Sequence, residues 1–252
     1  MFEDFGVAGM FMGQQSTFSL YASGISSALV LEMGDGVTQC VPLFEGTPLH
    51  HAITTSPIGG GEITDFILEQ LKHVNEIFHI KHVGKNIARE IKEQFGYVSL
   101  NFNQEVLNQL QVVQSTFQLP DGQKIKIGKE LFVGAEILFQ PSIIGEEGLG
   151  IHHMVYNSIM KSDVDCRSTF LRNIVVSGGS SLLPNLSERL ENELQKLVTQ
   201  YIKCQTITMP DTKIEAYIGA SIFGELNIFN QCAISKTMYD ERGSNVINIY
   251  YN

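Results

Sequence analysis

The sequence predicts an α/β fold, and two stretches of the chain carry that prediction. Two apolar runs, residues 28–31 and 40–44, flank Gly34-Asp35-Gly36. A glycine-rich turn between apolar runs is typical of a β-hairpin, because its residues tolerate positive φ. Residues 173–177 are predicted to form a buried parallel strand, which continues into Gly178-Gly179 and then a helix. This order of strand, glycine pair and helix is typical of the turn where nucleotide-binding sites form in α/β folds.

Composition limits the classes of function. The chain has 252 residues, enough for one large domain or two modest ones. Its 17 Lys and Arg against 27 Asp and Glu give a net charge of -10, which disfavours direct binding to nucleic acid. The four cysteines are far apart and form no Cys-x-x-Cys pair, which argues against a zinc site and for a reducing compartment. The amino terminus has acids where a signal peptide carries basic residues, and no apolar run is long enough to span a bilayer. We therefore expect no association with a membrane and a cytosolic or nuclear location.

The remaining elements follow from hydrophobic spacing. Residues 1–22 are rich in Met and Phe and indicate a buried helix or strand. Gly59-Gly60-Gly61 precedes a helix whose apolar residues recur at helical spacing, namely Ile63, Phe66, Ile67 and Leu71. Further along, the patterns predict a helix at 86–95, a hairpin at 117–127, a short strand or turn at 128–139, helices at 151–160 and 215–229, and a strand at 205–209.

Two glycine-rich stretches have both a structural and a functional interpretation. The turn at 34–36 is either an ordinary hairpin or a set of free backbone N–H groups for an anion, with Asp35 and Glu32 beside it for the accompanying cation. The glycines at 59–61 either cap a helix or admit an anion against bare backbone. The residues by themselves leave these alternatives open.

Other chemistries have weaker support. Arg89, Lys92 and Glu93 share one helical face, which is a solvated ion-pair cluster unless a ligand lies across it. The sequence contains neither a Gly-x-Ser-x-Gly elbow nor a Gly-x-x-x-x-Gly-Lys-Ser/Thr loop, so it predicts neither an α/β-hydrolase nor a P-loop nucleotidase. His79 and His82 and two adjacent His pairs lack a fourth ligand at a suitable spacing, which disfavours a histidine metal site.

Several longer motifs resemble actin and the actin-related proteins. They follow the family's order and extend over nearly the whole chain: Ser19-Leu20-Tyr21-Ala22-Ser23-Gly24, Gly34-Asp35-Gly36-Val37-Thr38, Leu119-Pro120-Asp121-Gly122, Leu138-Phe139-Gln140-Pro141-Ser142, Asn157-Ser158-Ile159-Met160-Lys161, Ser177-Gly178-Gly179, Ile218-Gly219-Ala220-Ser221-Ile222 and Ile234-Ser235-Lys236. Their length makes the resemblance specific to this family rather than to the heat-shock chaperones and sugar kinases that share its fold.

The resemblance implies an actin-like α/β fold in which two ribonuclease-H-like lobes close on ATP, as in the wider class of actin and heat-shock chaperone ATPases. It assigns residues 1–22 to a remnant of the first lobe and residues 23–58 and 149–214 to the core of a largely complete second lobe. Residues 59–148 would be an inserted α+β subdomain, and 215–252 a segment that returns to the incomplete first lobe. We therefore expect exposed apolar surface at Met10, Phe11, Phe18, Ile218 and Ile222.

The resemblance also implies a site for ATP and Mg²⁺. Gly34, Asp35, Gly36, Val37 and Thr38 would contact the phosphates, and Glu32 would lie near the cation. Gly60, Arg89, Lys92 and Glu93 would line the adenosine pocket, while Gly178, Gly179, Ser180 and Lys213 would close its adenine side. Gln15 would orient the attacking water, and Gln39 stands where the family has a histidine.

Departures from the family pattern weaken the expected activity. Nothing in the sequence matches the family's first phosphate loop or its small filament-contact subdomain. Gln39 can hydrogen-bond a water but cannot take its proton near neutral pH. Leu183 replaces a tyrosine near the adenine, and Ala233 a tryptophan.

These features predict an actin-like cytoskeletal protein with a partial ATP-binding cleft and weak or absent hydrolysis. The alternative is a non-enzymatic actin-related scaffold or interaction subunit in a multiprotein complex. Expected partners are actin or actin-binding proteins in the cytoplasmic cytoskeleton, with no nucleic acid bound directly. The adjacent acids Glu146 and Glu147, in a loop that resembles a filament contact, predict that the chain alone does not polymerise.

Overall fold

The computed structural model describes residues 1–107 and 115–250. The strands are β1 (Gly9–Met10), β2 (Ala28–Met33), β3 (Thr38–Phe44), β4 (Thr47–Pro48), β5 (Thr54–Ser56), β6 (Ser115–Gln118), β7 (Lys124–Ile127), β8 (Ile174–Ser177), β9 (Thr206–Thr208) and β10 (Ile234–Ser235). The helices are α1 (Gln15–Ser23), α2 (Gly60–Leu71), α3 (Lys81–Phe95), α4 (Phe102–Leu107), α5 (Glu130–Glu136), α6 (Ile151–Lys161), α7 (Val164–Arg172), α8 (Leu186–Leu197), α9 (Glu215–Glu225), α10 (Phe229–Cys232), α11 (Lys236–Arg242) and α12 (Val246–Tyr250). Two 3₁₀ turns near the site span Gly179–Leu182 and Thr212–Ile214.

The central sheet has the strand order β4-β3-β2-β8-β9, with β5 paired to β3. Strands β2 and β3 are antiparallel and close through the pair Met33 and Thr38, which confirms the predicted hairpin. Strand β8 runs parallel to both β2 and β9, with Glu32 opposite Ser177 at the carboxyl end of the β2–β8 pair. The predicted parallel strand and the glycine turn after it are therefore confirmed.

Strand β2 lies at the centre of the molecule because both of its faces are covered. Leu29, Leu31 and Met33 point into the larger core, which α2, α3, α6 and α8 cover. Ala28 and Val30 point the other way, into a smaller core with Leu20 of α1. Side chains alternate across a strand, so a strand that is buried on both faces is apolar at nearly every position.

The structure corrects one secondary-structure prediction in the segment after the β6–β7 hairpin. Residues 128–139, predicted as a short strand or turn, contain helix α5. Leu131 and Ala135 are buried in the core that α5 shares with α2, and Gly134 allows a close approach, since a Cβ there would lie 3.1 Å from Cγ1 of Ile67. The apolar run was compatible with a strand or a helix, and packing against α2 decides for the helix.

Several element boundaries also differ from the prediction. Helix α3 starts at Lys81, five residues before the predicted start at 86. Helix α9 ends at Glu225 rather than 229, because Leu226 adopts an extended backbone with ψ 143°. Helices α1, α2, α6 and α8 and strands β6, β7 and β9 form where the sequence predicted helices and strands.

The expected exposure of apolar surface at α1 and α9 is found in part. These two helices pack against each other, and Phe11 and Phe18 contact Phe223, with ring centroids 4.6 Å and 6.0 Å apart. Ile218 and Ile222 remain 36% and 40% exposed on the outer side of α9. None of the helices in the described ranges 1–107 and 115–250 combines the length and the apolar character needed to cross a membrane.

Candidate functional site

A cavity of about 420 Å³ opens where β2 and β8 end. Parallel neighbours present their carboxyl ends at the same sheet edge, so the turn after β2 and the turn after β8 meet there. The cavity is lined by Gly34, Asp35, Ile63, Arg89, Lys92, Glu93, Gly96, Gly179, Ser180, Leu182, Leu183, Pro184 and Lys213. Its volume lies in the range of small-molecule sites in proteins.

The glycines before α2 let the start of that helix dock directly on the β2–β3 turn. The N–H of Gly60 donates to the Gly34 carbonyl at 2.9 Å, and the N–H of Gly61 donates to the Asp35 carbonyl at 2.6 Å. A Cβ on Gly59 would lie 2.5 Å from the Asp35 carbonyl oxygen. The N–H of Gly59 donates to a Glu62 carboxylate oxygen at 2.8 Å. All three amides are therefore used within the protein, which favours the structural interpretation of the glycine run over an anion site.

The β2–β3 turn has backbone donors to spare. The Gly34 N–H donates to the Val37 carbonyl at 3.0 Å, which closes the turn. No hydrogen bond within residues 1–107 and 115–250 engages the N–H groups of Asp35, Gly36 and Val37. Unpaired turn amides are available as hydrogen-bond donors to an anion.

Lys92 is the buried cation of the cavity. It projects from α3 with only 8% of its surface exposed, and its ammonium donates to the Gly60 carbonyl at 2.7 Å. Burial lowers the pKa of Lys92, while the nearby charge of Asp35 raises it. A side chain on Gly60 would collide here, since its Cβ would lie 3.0 Å from the Lys92 ammonium and 2.7 Å from the Ser180 hydroxyl.

The turn after β8 forms the opposite wall of the cavity. Gly178 has φ 92° and lies against β2, with its N–H donating to the Thr212 carbonyl at 3.1 Å. The next residues bring Ser180 to the β2–β3 turn, where its hydroxyl donates to the Gly34 carbonyl at 3.1 Å. The ammonium of Lys213 lies 3.3 Å from a Glu93 carboxylate oxygen across the rim. These contacts connect α3, the two turns and the start of α9 around one cavity.

The structure brings most of the predicted site residues together. Eight of them line the cavity, namely Gly34, Asp35, Arg89, Lys92, Glu93, Gly179, Ser180 and Lys213. Gly60 lies against Asp35, Lys92 and Ser180, and Gly178 directly precedes Gly179 in the chain. The face of α3 with Arg89, Lys92 and Glu93 therefore adjoins a cavity, as its functional interpretation requires. Sequence reasoning missed four lining residues, namely Ile63, Gly96, Leu182 and Pro184. The sequence contained a signal for Gly96, because a glycine directly after the predicted helix at 86–95 marks the end of that helix. It contained no signal that set Leu182 apart from other leucines.

Other predicted residues do not line the cavity. Thr38 is buried and donates from its hydroxyl to the Ile58 carbonyl at 2.7 Å. Gln39 lies opposite Glu32 in the β2–β3 pairing, and Gln15 is exposed at the start of α1. Glu32 is buried and accepts hydrogen bonds from Ser16 and Ser19, and burial raises its pKa. The roles predicted for Gln15, Glu32, Gly36, Val37, Thr38 and Gln39 stay predictions.

A sequence model of the actin family, described as Actin, matches residues 1–251. The chain belongs to the actin family. The resemblance predicted from the motifs is confirmed, and so is the actin-like α/β fold. A protein described as putative actin-29 from Dictyostelium discoideum is 36% identical over 253 residues, which is 98% of this chain and 65% of that protein. The chain thus spans just under two thirds of the length of that actin relative.

Proposed function

We propose that this chain is a nucleotide-binding cytoskeletal member of the actin family whose cavity holds ATP with Mg²⁺. The observation that carries the proposal is the convergence of a buried ammonium and free turn amides at one sheet edge. Lys92 brings a positive charge into the cavity, and Asp35, which also lines it, belongs to a turn whose N–H groups at 35–37 are unpaired. Both features favour an anionic group such as a phosphate.

The remaining lining residues fit the nucleoside part of such a ligand. Leu182, Leu183 and Pro184 present an apolar wall at one side of the cavity, against which a base can lie. Arg89, Glu93 and Lys213 provide polar groups at the rim, where a ribose has its hydroxyls. Leucine offers apolar contact without the ring stacking of a tyrosine, so we expect binding of the base to be weak.

The described residues fit Mg²⁺ only together with the nucleotide's own phosphates. Among them, no group of three or more His, Cys, Asp or Glu side chains is placed to hold a metal ion. Mg²⁺ is commonly held by one or two carboxylates plus substrate phosphates and waters. Asp35, the carboxylate of the β2–β3 turn, lines the cavity and is the ligand we assign, whereas Glu32 does not line it.

We infer that hydrolysis is weak or absent. Gln39 can orient a water but cannot accept its proton near neutral pH, so general-base assistance is missing at that position. Gln15, the other residue assigned to the attacking water, does not line the cavity either. ATP would then act as a bound structural ligand rather than as a substrate that turns over.

Titration calorimetry with Mg²⁺ and ATP tests the nucleotide proposal. We expect binding by the wild-type chain and at least roughly tenfold weaker binding by Asp35→Ala, because the loss of a charge-assisted contact costs about 1.5 kcal/mol or more. Asp165→Ala is the matched control, since Asp165 is exposed on α7, away from the cavity. Absence of binding by a folded wild-type chain would refute the proposal.

One observation favours a second candidate function, a non-enzymatic actin-related scaffold. The outer side of α9 exposes Tyr217, Ile218 and Ile222, and Ile214 is exposed just before the helix. This apolar group suits contact with another protein. On this proposal the partners are actin or actin-binding proteins, and the location is the cytoskeleton. A folded chain that binds no nucleotide but co-sediments with actin filaments would favour the scaffold over the ATP-binding role.

The division into lobes is also part of the proposal. We assign residues 23–58 and 149–214 to one lobe and 59–148 to a subdomain inserted in it, with 108–114 outside the described residues. The segments 1–22 and 215–252 would belong to the other lobe. The packing of α1 on α9 supports this assignment, because the two segments meet there.

A further inference from the structure

A second cavity, of about 500 Å³, lies beside the loop that joins α5 to α6. Its volume is in the range of small-molecule sites in proteins. Its lining includes a phenylalanine shortly after α5, two histidines at the start of α6 and three charged residues of α8, namely Phe139, His152, His153, Arg189, Glu193 and Lys196. In the described part of the chain it shares no lining residue with the nucleotide cavity. The second cavity is therefore a separate feature that the proposed function does not use.

One wall of the second cavity is aromatic. The rings of Phe139 and His152 stack with centroids 5.9 Å apart and an interplanar angle of 25°, and the ring centroids of His152 and His153 are 4.2 Å apart. Gly150, directly before α6, permits this approach, since a Cβ there would lie 2.0 Å from the Phe139 carbonyl oxygen and 2.8 Å from Cε1 of His152. Burial lowers the pKa of His152 to about 4, so its ring is neutral near pH 7. Three adjoining rings provide a surface on which a further flat ring can stack.

Arg189 is the buried cation of the second cavity. It is 6% exposed, and its Cζ lies 4.9 Å from the centroid of the Phe139 ring. A guanidinium has five N–H groups. Within the described residues four of them donate, two to Glu136, one to Glu193 and one to the Ser99 carbonyl. One hydrogen on Nη2 is therefore available to a ligand.

Lys196 adds further donors to the lining of the second cavity. Its ammonium donates to Oε2 of Glu193 at 2.8 Å, and the side chain is 67% exposed. An ammonium has three hydrogens, so two remain for other acceptors. Both carboxylate oxygens of Glu193 are occupied, Oε1 by Arg189 and Oε2 by Lys196. The unused hydrogen-bonding capacity of these charged groups is therefore that of donors, which suits an anion.

We propose that the second cavity binds a small aromatic carboxylate. The ring of the ligand stacks on the wall of Phe139, His152 and His153, and its carboxylate accepts hydrogen bonds from Arg189 and Lys196. The balance of charge favours a singly charged anion, because Glu136 and Glu193 already compensate the two cations. A carboxylate adds one negative charge to this neutral group, whereas a phosphate group adds about 1.5 to 2.

Nuclear magnetic resonance of the full chain with isotope-labelled histidines, titrated with naphthoate, tests this site. The chain has seven histidines; among the described lining residues, His152 and His153 belong to the second cavity and no histidine belongs to the nucleotide cavity. We expect the ring signals of His152 and His153, assigned from His152→Gln and His153→Gln, to shift and saturate. The signals of the other five histidines should not move. Naphthoate bound in the nucleotide cavity would leave the signals of His152 and His153 in place and so contradict the assignment.

Two control ligands separate the ring from the charge. Naphthalene methanol has the ring without the charge, and acetate has the charge without the ring. We expect each to bind at least roughly tenfold more weakly than naphthoate, because each lacks one of the two contacts. Equal affinity for either control ligand overturns the proposal.

A pair of lysine variants tests the role of the cations. Lys196→Met should weaken naphthoate binding by roughly threefold or more, a modest loss because the ammonium is exposed. Lys161→Met is the matched control, since this exposed lysine at the other end of α6 does not line the cavity, and it should bind like the wild type. Unchanged affinity in Lys196→Met overturns the proposal. So does absence of a saturable shift in the wild type, which would leave the rings and ion pairs with the structural role of holding α6 on α8.

Discussion

Gly219→Ala should loosen the packing of α9 on α1. A Cβ at position 219 would lie 1.7 Å from the carbonyl oxygen of Phe18 and 2.5 Å from its carbonyl carbon. Both are backbone atoms, so no side-chain rotation can relieve the clash, and the helices must separate by roughly 1 Å or more. Overpacking of this kind costs about 1–3 kcal/mol. The higher helix propensity of alanine relative to glycine offsets about 1 kcal/mol of this cost at most.

We therefore expect the free energy of unfolding of Gly219→Ala to fall by about 2 kcal/mol, which is the upper limit of the overpacking cost after the helix preference of alanine is subtracted. For a chain of this length, this corresponds to a melting temperature lower by about 4–8 °C. Urea denaturation followed by far-UV circular dichroism measures the first quantity, and differential scanning fluorimetry measures the second.

Gly224→Ala is the matched control in the same helix. A Cβ at position 224 meets no heavy atom within 4 Å, so this variant tests helix propensity without a clash. We expect it to be unchanged or more stable by up to about 1 kcal/mol. If Gly219→Ala proved as stable as Gly224→Ala, the close approach of α1 and α9 described above would be incorrect.

Two further predictions concern charged and titratable groups near α8. Arg189→Met should lower the free energy of unfolding by about 3–5 kcal/mol in urea denaturation, because it leaves the fully buried Glu136, 3.0 Å from the guanidinium, without its cation. As the control, Lys196→Met at an exposed position should change the free energy of unfolding by less than about 1 kcal/mol. Burial lowers the pKa of His152 from 6.5 to about 4. Between these pH values the unfolded chain binds a proton at this histidine and the folded chain does not, so stability should fall as the pH decreases from 6.5 toward 4. His152→Gln should weaken this pH dependence in thermal melts, whereas a slope equal to that of the wild type would contradict the assignment.

Local patterns in the sequence were sufficient for much of the fold. The β2–β3 hairpin and the β8 turn were predictable because glycine positions and apolar runs restrict the backbone within a few residues. Helix α5 was not, because a continuous apolar run fits a buried strand as well as a buried helix. Its contact with Ile67 of α2 joins segments more than sixty residues apart, which no local pattern contains.

For the site, the sequence determined which residue types are present and which of them share a helix face. The grouping of Arg89, Lys92 and Glu93 on one side of α3 follows from helical periodicity alone. The sequence could not show that the amides of Gly60 and Gly61 are taken by the β2–β3 turn, while those at 35–37 stay free. Hydrogen-bond partners across segments depend on how α2 docks on the sheet, which is a property of tertiary packing.

The two buried carboxylates Glu32 and Glu215 show the same division between sequence and structure. Read locally, Glu215 is an ordinary acidic residue at the start of a helix, a position that favours negative charge and is usually solvated. The tertiary structure places it against Ser177 and near Glu32, which is 183 positions away in the chain. The sequence thus determined the family, the strands and helices with clear periodicity, and the charges available. Only the fold decided which charges lost their water, because burial depends on contacts between distant segments.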